Sequence, residues 1–253
     1  MASRQQRATP HSSRTEAALN RIRLWLLPGM MNTASVWDPV AAELTDVADI
    51  SVADLSWQTS IAEMAQSVLA QQQGRFALAG FSMGGYVAQE IVAQAPSRVS
   101  HLALLGTSMR PESPEQTAGR KTLLDAVQTG FSALTHKLLA LNLHPAHAGD
   151  SVPAQTLRTM FETLGPDVFA RQIRAIMSRH DTRAALLAAQ MPVAAICGRE
   201  DRVVSPALSA EIAAQVPGAS LTWIERAGHM ALLEQPSAVA SSLRELLRER
   251  GAA

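Results

Sequence analysis

The sequence predicts an α/β fold with a mostly parallel β-sheet flanked by helices, and two observations lead to that prediction. Short apolar runs end in turn residues and alternate along the chain with helical patterns, which is typical of βαβ units. Several of these runs are almost uninterruptedly apolar, for example Phe76-Ala77-Leu78-Ala79. Strands that are covered by helices on both faces have this composition.

Six apolar runs are the predicted strands: Ile22–Leu27, Ile50–Leu55, Arg75–Phe81, Val99–Leu105, Val193–Cys197 and Ser220–Ile224. The helices predicted around them are Trp37–Leu44, Ile61–Gln73, Met83–Ala95, Ser205–Gln215 and Ser237–Arg250. Prolines agree with these bounds, since Pro39 suits the first turn of a helix and Pro96 suits a helix end.

Residues 110–190 interrupt the alternation, because they contain amphipathic helical stretches with frequent Pro and Gly and no convincing strand. We therefore expect a helical cap, or lid, inserted before the last two strands of one sheet. The predicted organisation is a flexible tail (residues 1–21), a core domain (residues 22–109 and 191–253) and the cap (residues 110–190).

Composition excludes several classes of function. Lys+Arg and Asp+Glu both number 22, so no overall positive charge favours nucleic acid. A single cysteine, Cys197, excludes an internal disulfide and a cysteine-rich zinc site. No apolar run is long enough to cross a bilayer, and the first twenty residues lack the apolar segment of a secretory signal. A cytoplasmic location is expected.

The sharpest motif is Gly80-Phe81-Ser82-Met83-Gly84-Gly85, which lies between a predicted strand and a predicted helix. In such a G-x-S-x-G turn the glycines let the backbone turn sharply and the serine hydroxyl is lifted above the sheet. The N-terminus of the following helix supplies free N–H donors. Ser82 is therefore the candidate nucleophile.

A serine nucleophile needs a base and a carboxylate that orients the base. Asp201 and His229 each follow a predicted strand, at the edge where a parallel sheet places ligand sites. Their order after Ser82, acid before histidine, is the order that accompanies a G-x-S-x-G turn.

Three segments together resemble the α/β-hydrolase superfamily, specifically its small capped members: Gly80–Gly85, Gly198–Asp201, and Ala227–Met230 with the following Glu-Gln-Pro. The resemblance covers about residues 22–253, and the insertion stands where these proteins carry their lid. Residues 198–201 read Gly-Arg-Glu-Asp, and residues 227–230 read Ala-Gly-His-Met.

The resemblance implies that Ser82 is the nucleophile, His229 the general base and then acid, and Asp201 the group that orients His229. Glu200 is the nearest competitor for the acid, but the acid of the family matches position 201. The resemblance implies two oxyanion donors, the N–H groups of Met83 and Met30.

The loop that carries Met30 departs from the family pattern. Most members have His-Gly where this chain has Pro28-Gly29. That histidine usually organises the loop, so its replacement by Pro28 puts the geometry of the loop in doubt more than it does catalysis.

Apolar side chains near these positions predict a hydrophobic substrate pocket. Its predicted lining residues are Met31, Asn32, Phe161, Phe169, Met177 and Met230. Arg171 and Arg174 are candidates to anchor a substrate carboxylate, although such arginines more often cover a solvated helix face.

No metal site or cofactor is predicted. His144 and His147 are three residues apart, but Pro145 disrupts a helical ligand pair and no third ligand is evident. The expected partner is a small molecule with a hydrophobic portion. The sequence leaves a homodimer open.

The predicted function is a serine hydrolase of the carboxylesterase type (EC 3.1.1) that cleaves a carboxylic ester, thioester or lactone. Two alternatives remain open. The same triad serves C–C bond hydrolysis, perhydrolysis, acyl transfer or lyase reactions in resembling proteins, and one fold hosts many chemistries. A non-catalytic receptor for a small ligand on the same scaffold is the other.

Overall fold

A computed structural model of the chain describes residues 21–249. Six parallel strands form one open sheet in the order β2-β1-β3-β4-β5-β6. The strands are β1 (Ile22–Leu27), β2 (Ala48–Val52), β3 (Phe76–Phe81), β4 (Val99–Leu105), β5 (Val193–Gly198) and β6 (Ser220–Ile224). The predicted α/β class and parallel sheet are confirmed. The predicted tail lies outside the described residues except for its last position.

Within the described residues there are nine α-helices. They are α1 (Asp38–Ala42), α2 (Ile61–Gln71), α3 (Met83–Gln94), α4 (Pro114–Asn142), α5 (Val152–Met177), α6 (Arg183–Leu187), α7 (Pro206–Gln215), α8 (Ala231–Glu234) and α9 (Pro236–Arg248). In residues 21–249 none of them combines the length and the apolar character that a bilayer span requires.

The core lies on both faces of the sheet because successive side chains of a strand point to opposite faces. In β1, Leu24 and Leu26 face one cluster with residues of α1 and α9, and Trp25 and Leu27 face another with residues of α2, α3 and α7. This explains why the strand sequences are apolar at nearly every position.

The bounds of β3 and β5 each differ by one residue from the prediction, and those of β2 differ most. The second strand was expected at Ile50–Leu55, and β2 pairs over Ala48–Val52. Ala53 and Leu55 remain buried after the pairing ends, so the apolar pattern continues past the strand.

Between β4 and β5 the chain is helical, with α4, α5 and α6 and no strand from residue 106 to 192. Both long helices are broken. Gly130 interrupts α4, and Gly165 (φ 71°), which is followed by Pro166, interrupts α5. Apolar residues of this helical segment join the core cluster on the α1 and α9 face, including Leu139, Met160, Phe161 and Phe169.

Candidate active site

Ser82 occupies a strained turn between β3 and α3. Its φ of 52° and ψ of −113° are unfavourable for a residue with a side chain. The turn is held by the Ser82 N–H, which donates to the Leu105 carbonyl at 2.8 Å, and by the hydroxyl of Thr107, which donates to the Ser82 carbonyl at 2.9 Å. Such strain persists where the surroundings over-determine it, and it concentrates at functional sites.

The glycines of the motif permit a close approach of backbone to backbone. A Cβ atom on Gly80 would collide with the backbone of Gly84, and one on Gly84 would collide with the carbonyl oxygens of Leu27 and Pro28. The start of α3 therefore rests directly on the end of β1 and the loop after it.

His229 lies between Ser82 and Asp201. Its Nε2 is 3.0 Å from the Ser82 Oγ, and its Nδ1 is 2.7 Å from Oδ2 of Asp201. Because an ionised carboxylate only accepts hydrogen bonds, Nδ1 carries the proton and Nε2 is the free acceptor for the serine hydroxyl. His229 and Asp201 are both buried, with 4% and 5% of their surface exposed.

The carboxylate of Asp201 is held on its other oxygen. Oδ1 accepts hydrogen bonds from the N–H groups of Val203 and Val204, at 2.8 and 2.9 Å. Gly106 lies against the pair, since a Cβ atom there would be 3.3 Å from both Asp201 Oδ2 and His229 Nδ1. The backbone thus fixes Asp201, and a side chain at position 106 would be both tightly packed against the pair and strained by the φ of 51°.

Glu200, the competing acid, faces elsewhere. Its Oε2 accepts a hydrogen bond from the N–H of Ala227 at 3.1 Å, and no contact with His229 is found among the described residues. Glu200 joins the loop after β5 to the loop that precedes His229.

The two predicted oxyanion donors lie at the start of α3 and in the loop after β1. Met83 is the first residue of α3, where an N–H has no partner within the helix. Met30 lies in the loop after β1, against which Gly84 packs. Neither N–H has an acceptor within residues 21–249, whereas the next N–H of the loop, that of Met31, donates to Oε1 of Gln172 at 2.8 Å.

The residues predicted to line the pocket are buried to different degrees. Met31, Phe169 and Met230 lie in the core with at most 1% of their surface exposed, and Met177 is half-buried against it. The Asn32 amide lies 3.7 Å from the sulfur of Met160, on α5. Their contact with a substrate stays a prediction.

Phe161 is buried but borders open space. It lines a groove of about 790 Å³ between the breaks of α4 and α5. The groove's other lining residues are Gly130, Phe131, Ser132, Ala133, Thr135, His136, Leu139, Arg158, Glu162, Gly165 and Pro166.

Arg171 and Arg174 line a separate groove of about 470 Å³ with Thr59, Gln128, Asp167 and Ala170. The Arg171 guanidinium donates to the carbonyl of Ser56 at 2.9 Å and lies over the ring of Trp57. Neither Ser82 nor His229 lines this groove, so the anchor role is not supported by a contact with the site.

A buried carboxylate, Glu234, joins the His229 loop to the segment after α4. Its Oε2 accepts from the N–H of Gly228 at 2.7 Å, and its Oε1 accepts from the N–H of His144 at 2.6 Å. Oε1 also lies 2.9 Å from Nδ1 of His147. Within residues 21–249 no three side chains of His, Cys, Asp or Glu are arranged to hold a metal ion.

Two residues of this arrangement were not predicted from the sequence. Gln172 takes the second place in an apolar stripe formed with Phe169, Ile173 and Ile176, and all four are buried. A polar residue within such an apolar stripe is the signal that could have identified it. Glu234 was part of a recognised motif, but its partners are distant in sequence and no local pattern reveals them.

Comparison with known proteins identifies the fold family. A model of the alpha/beta hydrolase family matches residues 24–242. The pimeloyl-[acyl-carrier protein] methyl ester esterase of Aliivibrio fischeri is 25% identical over 240 residues, which cover 89% of this chain and 93% of that protein. The esterase of the same name from Nitrosomonas europaea is 25% identical over 229 residues, 84% of this chain and 90% of that one.

Solved structures have the same fold. The enol-lactonase from Burkholderia xenovorans superposes with a TM-score of 0.81 at 23% identity, covering 91% of this chain and 92% of its own. A thermophilic esterase from Thermogutta terrifontis superposes with a TM-score of 0.80 at 23% identity, covering 90% and 89%.

Proposed function

Because the chain belongs to the alpha/beta hydrolase family, we propose that it is a serine esterase that cleaves a carboxylic ester through an acyl-enzyme on Ser82. The observation that carries the proposal is the pair of hydrogen bonds that connects the side chains of Ser82, His229 and Asp201. The esterase names of the relatives support an ester as the bond that is cleaved.

In the proposed reaction His229 Nε2 takes the proton of the Ser82 hydroxyl as Oγ attacks the ester carbonyl carbon. The C–O bond to the alcohol breaks, and His229 gives the proton to the leaving alcohol. Asp201 stabilises the imidazolium that forms between these steps. Water then attacks the acyl-enzyme with His229 as base. The bond between the acyl carbon and Oγ breaks, His229 returns the proton to Oγ, and the carboxylic acid leaves.

The developing negative charge on the carbonyl oxygen needs preorganised donors. We assign this role to the N–H groups of Met83 and Met30. Their lack of other acceptors among the described residues supports the assignment. So does the contact between Gly84 and the carbonyl oxygens of Leu27 and Pro28, which brings the start of α3 against the loop of Met30.

Residues 110–190 are the proposed cap. The groove beside Phe161 is lined by neither Ser82 nor His229, and its proposed role is to hold the far end of the acyl chain. Its lining is mostly apolar with a few polar groups, which suits a medium-sized hydrophobic acyl group. The names of the relatives favour an ester of a small alcohol with such an acyl chain. The homodimer and the cytoplasmic location remain predictions.

A fluorophosphonate probe tests the nucleophile. We expect labelling of the wild type and of Ser242→Ala, because Ser242 is a buried serine on α9 whose hydroxyl donates to the Thr222 hydroxyl at 3.0 Å and, within the described residues, forms no hydrogen bond with His229. Labelling of Ser82→Ala should be absent. Labelling that survives in Ser82→Ala, or a wild type that does not react, would refute the proposal.

Hydrolysis of p-nitrophenyl esters from acetate to decanoate tests whether the protein cleaves an ester bond and whether the groove beside Phe161 binds the acyl chain. We expect a preferred acyl length that becomes shorter in Phe161→Trp. It should be unchanged in Leu187→Trp, whose residue is exposed and does not line the groove. Strong labelling of Ser82 with no hydrolysis of any ester would favour C–C hydrolysis or a lyase reaction instead.

A further inference from the structure

We propose that Gln172 is the positioning residue of the oxyanion loop, which we define as residues 28–32. The proposal rests on the function proposed above. Gln172 lies in the helical segment between β4 and β5, and this segment would therefore help to organise the proposed catalytic site.

Both the oxygen and the nitrogen of the Gln172 side-chain amide form hydrogen bonds. Oε1 accepts the N–H of Met31 at 2.8 Å, and Nε2 donates to the carbonyl of Leu55 at 3.0 Å. Only 1% of the Gln172 surface is exposed. In such a dry environment a satisfied hydrogen bond holds its partners firmly, and loss of one partner leaves a costly unsatisfied group.

The oxyanion loop needs such a restraint because its backbone is strained. Met31 has a φ of 59°, in the left-handed region that is unfavourable for a residue with a side chain. The N–H of Asn32 donates to the carbonyl of Gly29 at 3.3 Å, which is a long bond for closing a turn. An acceptor for the Met31 N–H fixes the peptide plane that follows Met30.

Gln172 also selects which N–H of the loop is free. Since the Met31 N–H is bound to Gln172, it is not available to a substrate oxygen. The N–H of Met30 has no acceptor among the described residues and remains for that role.

Within the loop, the one backbone hydrogen bond found among residues 21–249 is the long one from the Asn32 N–H to the Gly29 carbonyl. Position 28 is a proline, which has no side-chain donor or acceptor and no N–H. Gln172 supplies the missing hydrogen bond from 141 residues away, on α5. A second contact joins the same two elements, the one between the Asn32 amide and the sulfur of Met160. The geometry of the oxyanion loop therefore depends on α5.

Gln172→Met tests the proposal, because it keeps the length of the side chain and removes both hydrogen bonds. Removal of one oxyanion donor costs about 10²–10³-fold in kcat. A donor that is present but poorly placed should cost less, so we expect kcat and the rate of Ser82 labelling by a fluorophosphonate to fall about 10- to 100-fold. KM should stay within about twofold, because the loop acts on the transition state.

Gln89→Met is the matched control. Gln89 is a buried glutamine on α3 that also makes two hydrogen bonds, donating to the Ser108 carbonyl at 3.0 Å and accepting from the Thr182 hydroxyl at 3.2 Å. We expect a comparable loss of stability to urea and little change in kcat. Gln172→Glu keeps an acceptor for the Met31 N–H, and it should be labelled faster than Gln172→Met.

Three results would overturn the proposal while the wild type still reacts at Ser82. Gln172→Met is labelled within twofold of the wild-type rate, Gln89→Met slows labelling as much as Gln172→Met does, or Gln172→Glu is no faster than Gln172→Met. A wild type that shows no labelling of Ser82 instead refutes the proposed function itself, so the two failures are distinguishable.

Discussion

The N–H of Gly228 donates a hydrogen bond to the carboxylate of Glu234 at 2.7 Å, and Gly228 directly precedes His229. The same carboxylate binds the N–H of His144 and Nδ1 of His147 in the segment after α4. No surface of the Glu234 side chain is exposed. One buried carboxylate thus fixes the loop of His229, the proposed catalytic histidine, against the helical segment.

Glu234→Gln should destabilise the fold by about 2–3 kcal/mol, because hydrogen bonds to a charged acceptor are strong and an amide NH₂ would face a backbone N–H. Urea unfolding measures the loss. Glu225→Gln is the control, since Glu225 forms an exposed ion pair with Arg199 that contributes at most about 1 kcal/mol. Equal losses for the two variants would contradict the role of Glu234.

Asp201→Asn should lower kcat by about 10⁴-fold, because an amide at this position does not stabilise the imidazolium of His229 and favours the wrong tautomer. Glu200→Gln should change kcat only a few-fold, since Glu200 binds a backbone N–H and does not contact His229. Ester hydrolysis at saturating substrate compares the two. A larger loss in Glu200→Gln would assign the acid to position 200.

Gly84→Ala should destabilise the protein by about 2–3 kcal/mol, because the new methyl group would overlap the carbonyl oxygens of Leu27 and Pro28. Gly119→Ala is the matched control within α4. No atom lies within 4 Å of the position its Cβ would take, and alanine is favoured over glycine inside a helix by about 0.5–1 kcal/mol. Thermal unfolding should show opposite shifts, and a stable Gly84→Ala would show that the contact between α3 and the loop is not tight.

Local patterns explain what the sequence predicted well. The parallel strands are apolar on both faces, and the turn at Ser82 is marked by glycines that are required within a few residues of it. The end of β2 was less predictable, because Ala53 and Leu55 are buried without belonging to the strand. An apolar run in the sequence indicates that its residues are buried, but it does not indicate whether they pair with a neighbouring strand.

Contacts between distant segments explain what the sequence did not predict. The hydrogen bond from Met31 to Gln172 joins residues that are 141 positions apart in the sequence. The hydrogen bond from His144 to Glu234 joins residues that are 90 positions apart. A methionine beside a predicted site also has the same signature whether it lines a pocket or fills the core. Met31 and Met230 are both buried, which only the packed structure reveals, and their contact with a substrate stays a prediction.

Cys197, on β5, occupies an environment that disfavours its thiolate. Burial is the main cause, and the negative charge of Asp201 adds to it, so that the pKa of the thiol rises to about 12 from the ordinary value of 9.0. The thiol is 1% exposed. The neutral form is therefore favoured in the folded chain relative to the unfolded one.

The raised pKa of Cys197 predicts how stability changes at alkaline pH. Below about pH 9 the thiol is neutral in both states, and its contribution is fully present. As the pH rises from about 9 towards 12 the unfolded chain releases the proton and the folded chain does not, so this contribution is lost. Urea unfolding of the wild type and of Cys197→Ala between pH 8 and 11 isolates the effect, because the variant has no thiol at this position. The free energy of unfolding of the wild type should fall more steeply than that of the variant above pH 9. A difference between the two that stays constant over this range would show that the thiol has an ordinary pKa in the fold.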